Sequence, residues 1–204
     1  MKINKTLKET IGITDEVSAT TMLSPEIYYE KFLEHKNNYF KLEDERELVF
    51  SYIFLHIYFE VHFHYYLWLL VGGGLGSKNI NFDKKAYPIQ KLNKFEIFLE
   101  EKNFSYETSD FKEVRENLRL ITNIRNHLIH GHPVTKTYKN DTVSVSNAKS
   151  FLTRQKFNET TTKANTIANA WNKILSSIQR QTDLLRSNSM PNPSFFDECK
   201  FKVF

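Results

Sequence analysis

Apolar residues recur at intervals of three and four along most of this chain, the spacing of helices that bury one face. The first such run follows Leu23-Ser24-Pro25-Glu26. Ser suits the N-cap there, Pro the first helical position and Glu the first turn. It predicts a helix to about Asn37 with Ile27, Tyr28, Phe32 and Leu33 inward. The longest run extends from about Leu42 to Val71. It opens on the acidic Glu43-Asp44-Glu45-Arg46-Glu47, as a helix N-terminus prefers, and is almost wholly apolar and aromatic from Leu48 onward. Pro88 opens a further helix to about Asn103, with Ile89, Leu92, Phe95, Phe98 and Leu99 on its apolar face. Phe111, Val114, Leu118, Ile121, Ile124 and Leu128 form the next stripe, which Ser109 or Asp110 can cap and which Gly131 and Pro133 end. A last helix spans about Asn158 to Ser187, with Ile167, Trp171, Ile174, Leu175, Ile178 and Leu185 inward.

The pattern therefore predicts an all-α fold, a bundle of about five helices. One stretch departs from it. After Pro133, Val134, Lys136 and Tyr138 alternate, Asn140-Asp141 supplies turn residues, and Val143 and Val145 follow, a small β-hairpin-like excursion after the fourth helix. Residues 1–22 show no period and read as a flexible N-terminal arm. Residues 23–190 form the helical domain, and residues 191–204 an aromatic tail, ending Phe201-Lys202-Val203-Phe204, that docks on the body or on a partner.

Composition narrows the class. With 40% hydrophobic and 25% charged residues the 204-residue chain is globular, and its 17 Phe and 10 Tyr point to a core or interface built on large rings. A net charge of +4 permits a polyanionic partner without requiring one. A single cysteine excludes an internal disulfide framework and fits the reducing cytoplasm, and Met1 to Ser18 is too polar for a signal peptide. The apolar Leu48–Val71 run has the length of a membrane span, yet Glu60 sits in its middle among three histidines, so a helix buried on most sides accounts for it better and no membrane association is expected. Gly72-Gly73-Gly74-Leu75-Gly76-Ser77-Lys78 resembles a phosphate loop only loosely, because it follows a helix and lacks the Gly-Lys-Ser/Thr order; it reads as a helix cap and linker.

The chemistry concentrates in Ile124-Arg125-Asn126-His127-Leu128-Ile129-His130-Gly131-His132-Pro133. Arg125 falls on the apolar face of its helix, in line with Val114 and Leu118. A guanidinium there needs a partner, a wet cleft or a second subunit. Asn126 and His130 are four apart and share a face, and the helix C-terminus favours a protonated His130. Arg and His together suit phosphoryl chemistry on RNA, one on the phosphate and one as acid or base.

Arg125-Asn126-x-x-x-His130-Gly131 resembles the RN-x-x-x-H motif of the HEPN superfamily, the higher eukaryote and prokaryote nucleotide-binding domains. The specific part of the resemblance is six or seven residues, set in a helical region from about 45 to 186. It implies a helical bundle acting as a homodimer, with two motifs lining one cleft. It also implies a metal-independent endoribonuclease of a defence or toxin–antitoxin setting, needing no cofactor and no metal, with RNA as substrate and an antitoxin or defence-system protein as a further partner. In that scheme an RNA 2′-hydroxyl attacks the adjacent phosphate, His130 moves protons and orients the hydroxyl, Arg125 stabilises the developing charge, and Asn126 orients His130 or the ligand. Some HEPN toxins carry a Tyr two residues beyond the motif His that an antitoxin modifies; this chain has His132 there, on the rim of the expected cleft. The alternative from another class is a non-catalytic helical interaction module, a partner subunit or ligand-sensing dimer.

His56, Glu60 and His64 step by four and form a polar stripe on the second helix. On one straight helix they span about 12 Å, too far for one ion without ligands from elsewhere, so a polar seam or a cleft wall facing Arg125 and His130 is favoured over a metal site. Lys136, Lys139, Lys149, Arg154 and Lys156 form a basic stretch beside the motif, suited either to RNA phosphates or to plain solvation.

Overall fold

The computed structural model describes residues 24–70, 87–130, 148–185, 196–197, 199–202 and 204. They form five α-helices, α1 (Pro25–Leu42), α2 (Glu45–Leu69), α3 (Pro88–Glu101), α4 (Thr108–His130) and α5 (Arg154–Leu185), with a 3-10 turn at Ala148–Phe151 before α5. No strand occurs among the described residues. The arm at 1–22, the glycine-rich linker and the excursion after Pro133 lie outside them, as do His132, Lys136 and the side chain of His130.

Local chemistry sets the helix ends. Ser24 caps α1, its Oγ accepting from Glu26 N at 3.3 Å, and Pro25 supplies the first turn. No residue between Asn37 and Leu42 breaks the helix, so α1 runs past the predicted Asn37. Ile27, expected inward, is exposed on its first turn. Glu43 then takes a left-handed conformation (φ 53°, ψ 29°) and its N–H returns to Tyr39 O at 2.8 Å. Asp44 caps α2 by accepting from Arg46 N at 2.9 Å. The two-residue connection makes α1 and α2 an antiparallel hairpin. His35 meets Glu47 at 2.7 Å at one end, and the Tyr66 hydroxyl donates to Glu26 at 3.2 Å at the other.

Helix α2 is the axis of the bundle. Leu48, Tyr52, Leu55, Phe59, Phe63 and Leu67 are almost wholly buried, and α1, α3, α4 and α5 pack around them. Phe157 of α5 packs its edge on Tyr52 at 5.4 Å, and Trp171 meets Phe63 at 5.2 Å and Phe95 of α3 at 5.8 Å. This burial on several sides accounts for the apolar length of the helix, and among the described residues no helix is long and apolar enough to cross a membrane. Helices α4 and α5 run antiparallel: Ser177 Oγ donates to Ser105 O, just before α4, at 3.0 Å, while Phe151, just before α5, lies against the last turn of α4.

The aromatic tail docks on this same chain. Phe201 stacks on His62 (3.7 Å between centroids, 23°) and presents its edge to Phe59 at 4.9 Å. Phe204 lies edge-on to Phe32 at 5.5 Å. Two asparagines of α5, seven residues apart on one face, hold the tail backbone. Asn172 donates to Phe201 O at 3.1 Å and accepts from Phe201 N at 2.9 Å; Asn165 does the same for Phe204 at 3.1 Å and 2.6 Å. Each amide thus replaces the ladder partner an extended segment would otherwise lack. The Cys199 carbonyl accepts from both Trp171 Nε1 at 3.1 Å and the His62 ring at 3.0 Å.

Asn172→Ala leaves a buried N–H and carbonyl without partners and should destabilise the protein by about 1–3 kcal/mol. Asn169→Ala, exposed on the same helix, should stay within about 0.5 kcal/mol of wild type. Urea unfolding midpoints compare the two; equal shifts would mean that the clamp does not hold the tail.

Candidate functional site

Arg125, Asn126 and His130 lie on the last turns of α4, which ends at His130. Ile121 and Ile124 anchor this end in the core. Arg125 stands beside them, partly buried rather than solvated, as its place on the apolar stripe predicted. Its Nη1 donates to Asn126 Oδ1 at 2.8 Å, and its Nε is buried without a partner. No carboxylate neutralises it among the described residues, although Arg46 pairs with Asp44 and Arg115 with Glu96. Asn126, expected to orient His130 or a ligand, thus engages Arg125.

The polar stripe of α2 divides. His56 is buried opposite α4. Burial holds its imidazole well below the ordinary value, and the Arg125 guanidinium adds to the effect, so that it titrates at about 4. His56 is therefore neutral at pH 7, and its Nδ1 has no hydrogen-bond partner, Glu60 Oε2 standing 3.7 Å away. Glu60 is about half exposed, its side chain 47% accessible. His64, the third member, turns to another neighbour, its Nδ1 meeting the buried Lys91 ammonium of α3. An ammonium beside that nitrogen opposes a cation there. Among the described residues no three ligating side chains gather.

The fold thus brings together Arg125, Asn126, His56 and Glu60, while His64 belongs to the α2–α3 contact. Of the basic stretch, Arg154 lies over the Phe40 ring at 4.8 Å and Lys156 pairs with Glu159 at 2.5 Å. His127, three positions before His130, is offset from it around α4. In the structure it is buried and edge-on to Phe151 at 5.3 Å. Phe151 in turn accepts from the Tyr52 hydroxyl at 3.0 Å. His127 is thereby a packing residue that seats the motif helix, and its spacing of three from Ile124 was the available signal. No signal in the sequence marked Lys91 as buried.

Arg125 is the fixed cation of this half-buried cluster and the group in it that can hold an anion, with neutral His56 beside it and the Glu60 carboxylate turned partly to solvent. Burial strengthens an electrostatic contact there relative to the surface. The chain matches no family model, no curated protein and no solved structure.

Acid stability follows from the buried histidines. His62 is lowered to about 3, by burial, with its bond to the Cys199 carbonyl opposing the shift. An unfolded histidine titrates near 6.5. Below that value the unfolded chain takes up protons that folded His56 and His62 refuse. Their contribution is therefore complete above about pH 6.5 and is lost as pH falls toward about 4 and 3. Each group accounts for up to about 1.4 kcal/mol per pH unit. Unfolding free energies measured from pH 7 to 4.5 should fall less steeply in His56→Gln than in wild type; identical slopes would show that His56 is not held neutral.

Proposed function

We propose that this protein is a metal-independent endoribonuclease of the HEPN type, working as a homodimer. The observation that supports this reading is the Arg125 guanidinium, half-buried near the end of the motif helix, unneutralised by any carboxylate and with one N–H still without a partner. Retaining an uncompensated cation against the core destabilises a fold. A site that must bind a phosphate has reason to retain one. Neutral His56 adds no competing charge.

In the reaction an RNA 2′-oxygen forms a bond to the adjacent phosphorus as the bond to the 5′-oxygen breaks, leaving a 2′,3′-cyclic phosphate and a 5′-hydroxyl. His130 carries the proton transfers. Arg125, held by Asn126, binds the phosphate and stabilises the charge that grows on its oxygens. A two-fold dimer places two such helix ends about one cleft and explains a guanidinium left open toward a partner face. The setting is defence or toxin–antitoxin control in the cytoplasm.

Purified protein should cleave mixed RNA in the presence of EDTA, and Arg125→Ala and His130→Ala should each lower the rate by about 10²–10⁴-fold. Arg125→Ala should melt at or above the wild-type temperature, because no salt bridge is lost and an uncompensated cation is removed from beside the core. Cleavage unchanged in His130→Ala would refute the assignment, as would unfolding of Arg125→Ala. His127→Ala opens a cavity beside Phe151 and should lower stability first, so its activity is compared below its own melting point. Light scattering at micromolar concentration should report a dimer; a monomer that still cleaves RNA would remove the two-fold cleft.

A further inference from the structure

A pocket lies beside the segment that packs on the motif helix. The end of α1, the start of α2 and the segment leading into α5 enclose about 270 Å³, lined by Tyr39, Phe40, Glu43, Glu45, Leu152 and Arg154. Two rings and a leucine make apolar walls, with Tyr39 and Phe40 5.5 Å apart and inclined at 49°. The Arg154 guanidinium lies over the Phe40 ring at 4.8 Å, which holds it against the wall. Glu43, Glu45 and Arg154 are exposed. None of the three forms an ion pair or a side-chain hydrogen bond among the described residues, in contrast to Arg46, Arg115 and Lys156, which all do.

A small pocket with aromatic walls, an open guanidinium fork and two open carboxylates fits a planar ligand that has acceptors on one edge and donors on another. It does not fit a phosphate, which two carboxylates repel. Among nucleobases guanine answers this description. Its O6 and N7 are the acceptor pair that an Arg fork matches, and its N1–H and exocyclic amine are donors to a carboxylate. Adenine offers one acceptor and one donor where guanine offers two acceptors, and the pyrimidines give less surface for stacking. The segment lining the pocket also touches the motif helix: Leu152 follows Phe151, whose ring lies 5.3 Å from that of His127.

We infer that this pocket is a guanine-binding subsite. Its place in function rests on the ribonuclease reading: it holds the base of a nucleotide near the scissile phosphate and gives cleavage a preference for guanine-containing RNA.

The four nucleosides are titrated into the full-length protein and followed by NMR. Guanosine should bind at least tenfold more tightly than adenosine, cytidine or uridine. The Glu43→Gln/Glu45→Gln double variant and Arg154→Ala should each weaken guanosine at least tenfold while melting as wild type does, since these side chains are exposed. Arg125→Ala should bind guanosine as wild type does. Equal affinity for the four nucleosides, or variants that bind as wild type does, would overturn the subsite. Cleavage of guanine-free and guanine-containing RNA then separates the two readings. Selective guanosine binding by a protein that cuts no RNA leaves the pocket and removes the nuclease; RNA cleavage indifferent to guanine, without guanosine selectivity, removes the pocket alone.

Discussion

A single helix that is apolar nearly all round forces the architecture. Residues 48–67 of α2 present large side chains in every direction, and water can be excluded only if other elements cover each face. Helix α1 covers one side as a hairpin, α3 and α4 cover others, and α5 closes the bundle through Phe157 and Trp171. One strip is left between α1 and α5, and the tail fills it with Phe201 and Phe204. The many rings of the composition are thus core, arranged mostly edge-on or tilted, as their quadrupoles favour.

The same constraint produces the candidate site. A helix buried on several sides carries some of its polar residues into the interior, and His56 and His62 are both made neutral by it. His62 is satisfied on one side by the tail carbonyl of Cys199 and serves packing. His56 faces α4 near Arg125, where a cation without a carboxylate is difficult to justify as a stabilising feature. Two asparagines of α5 also do opposite work to Asn126: they fix backbone, whereas Asn126 fixes a cation.

Much of the fold was legible because its determinants are local. Ser24-Pro25 starts α1 where the sequence predicted, since a cap depends on neighbouring atoms alone. The placing of Arg125 on an apolar face needed only the angular step of a helix. Helix ends were less legible. Helix α5 begins at Arg154 rather than near Asn158, with Thr153 Oγ1 accepting from Lys156 N at 3.2 Å, a cap overlooked because the predicted start was tied to the apolar pattern.

The sequence by itself determined the helical period, the proline-marked starts of α1 and α3, the residues of the motif and the face that carries Arg125, because each depends on contacts within about one turn. Tertiary structure alone decided the rest. His56, Glu60 and His64 are equivalent along α2, and only the packing of α4 on one part and α3 on another sends His56 to Arg125 and His64 to Lys91. Asn165 and Asn172 look like solvated helix positions until the tail lies on them. The pocket of Tyr39, Phe40, Glu43, Glu45, Leu152 and Arg154 joins residues more than a hundred positions apart. No local rule specifies such neighbours, since they arise from burying one chain's apolar faces against each other at once.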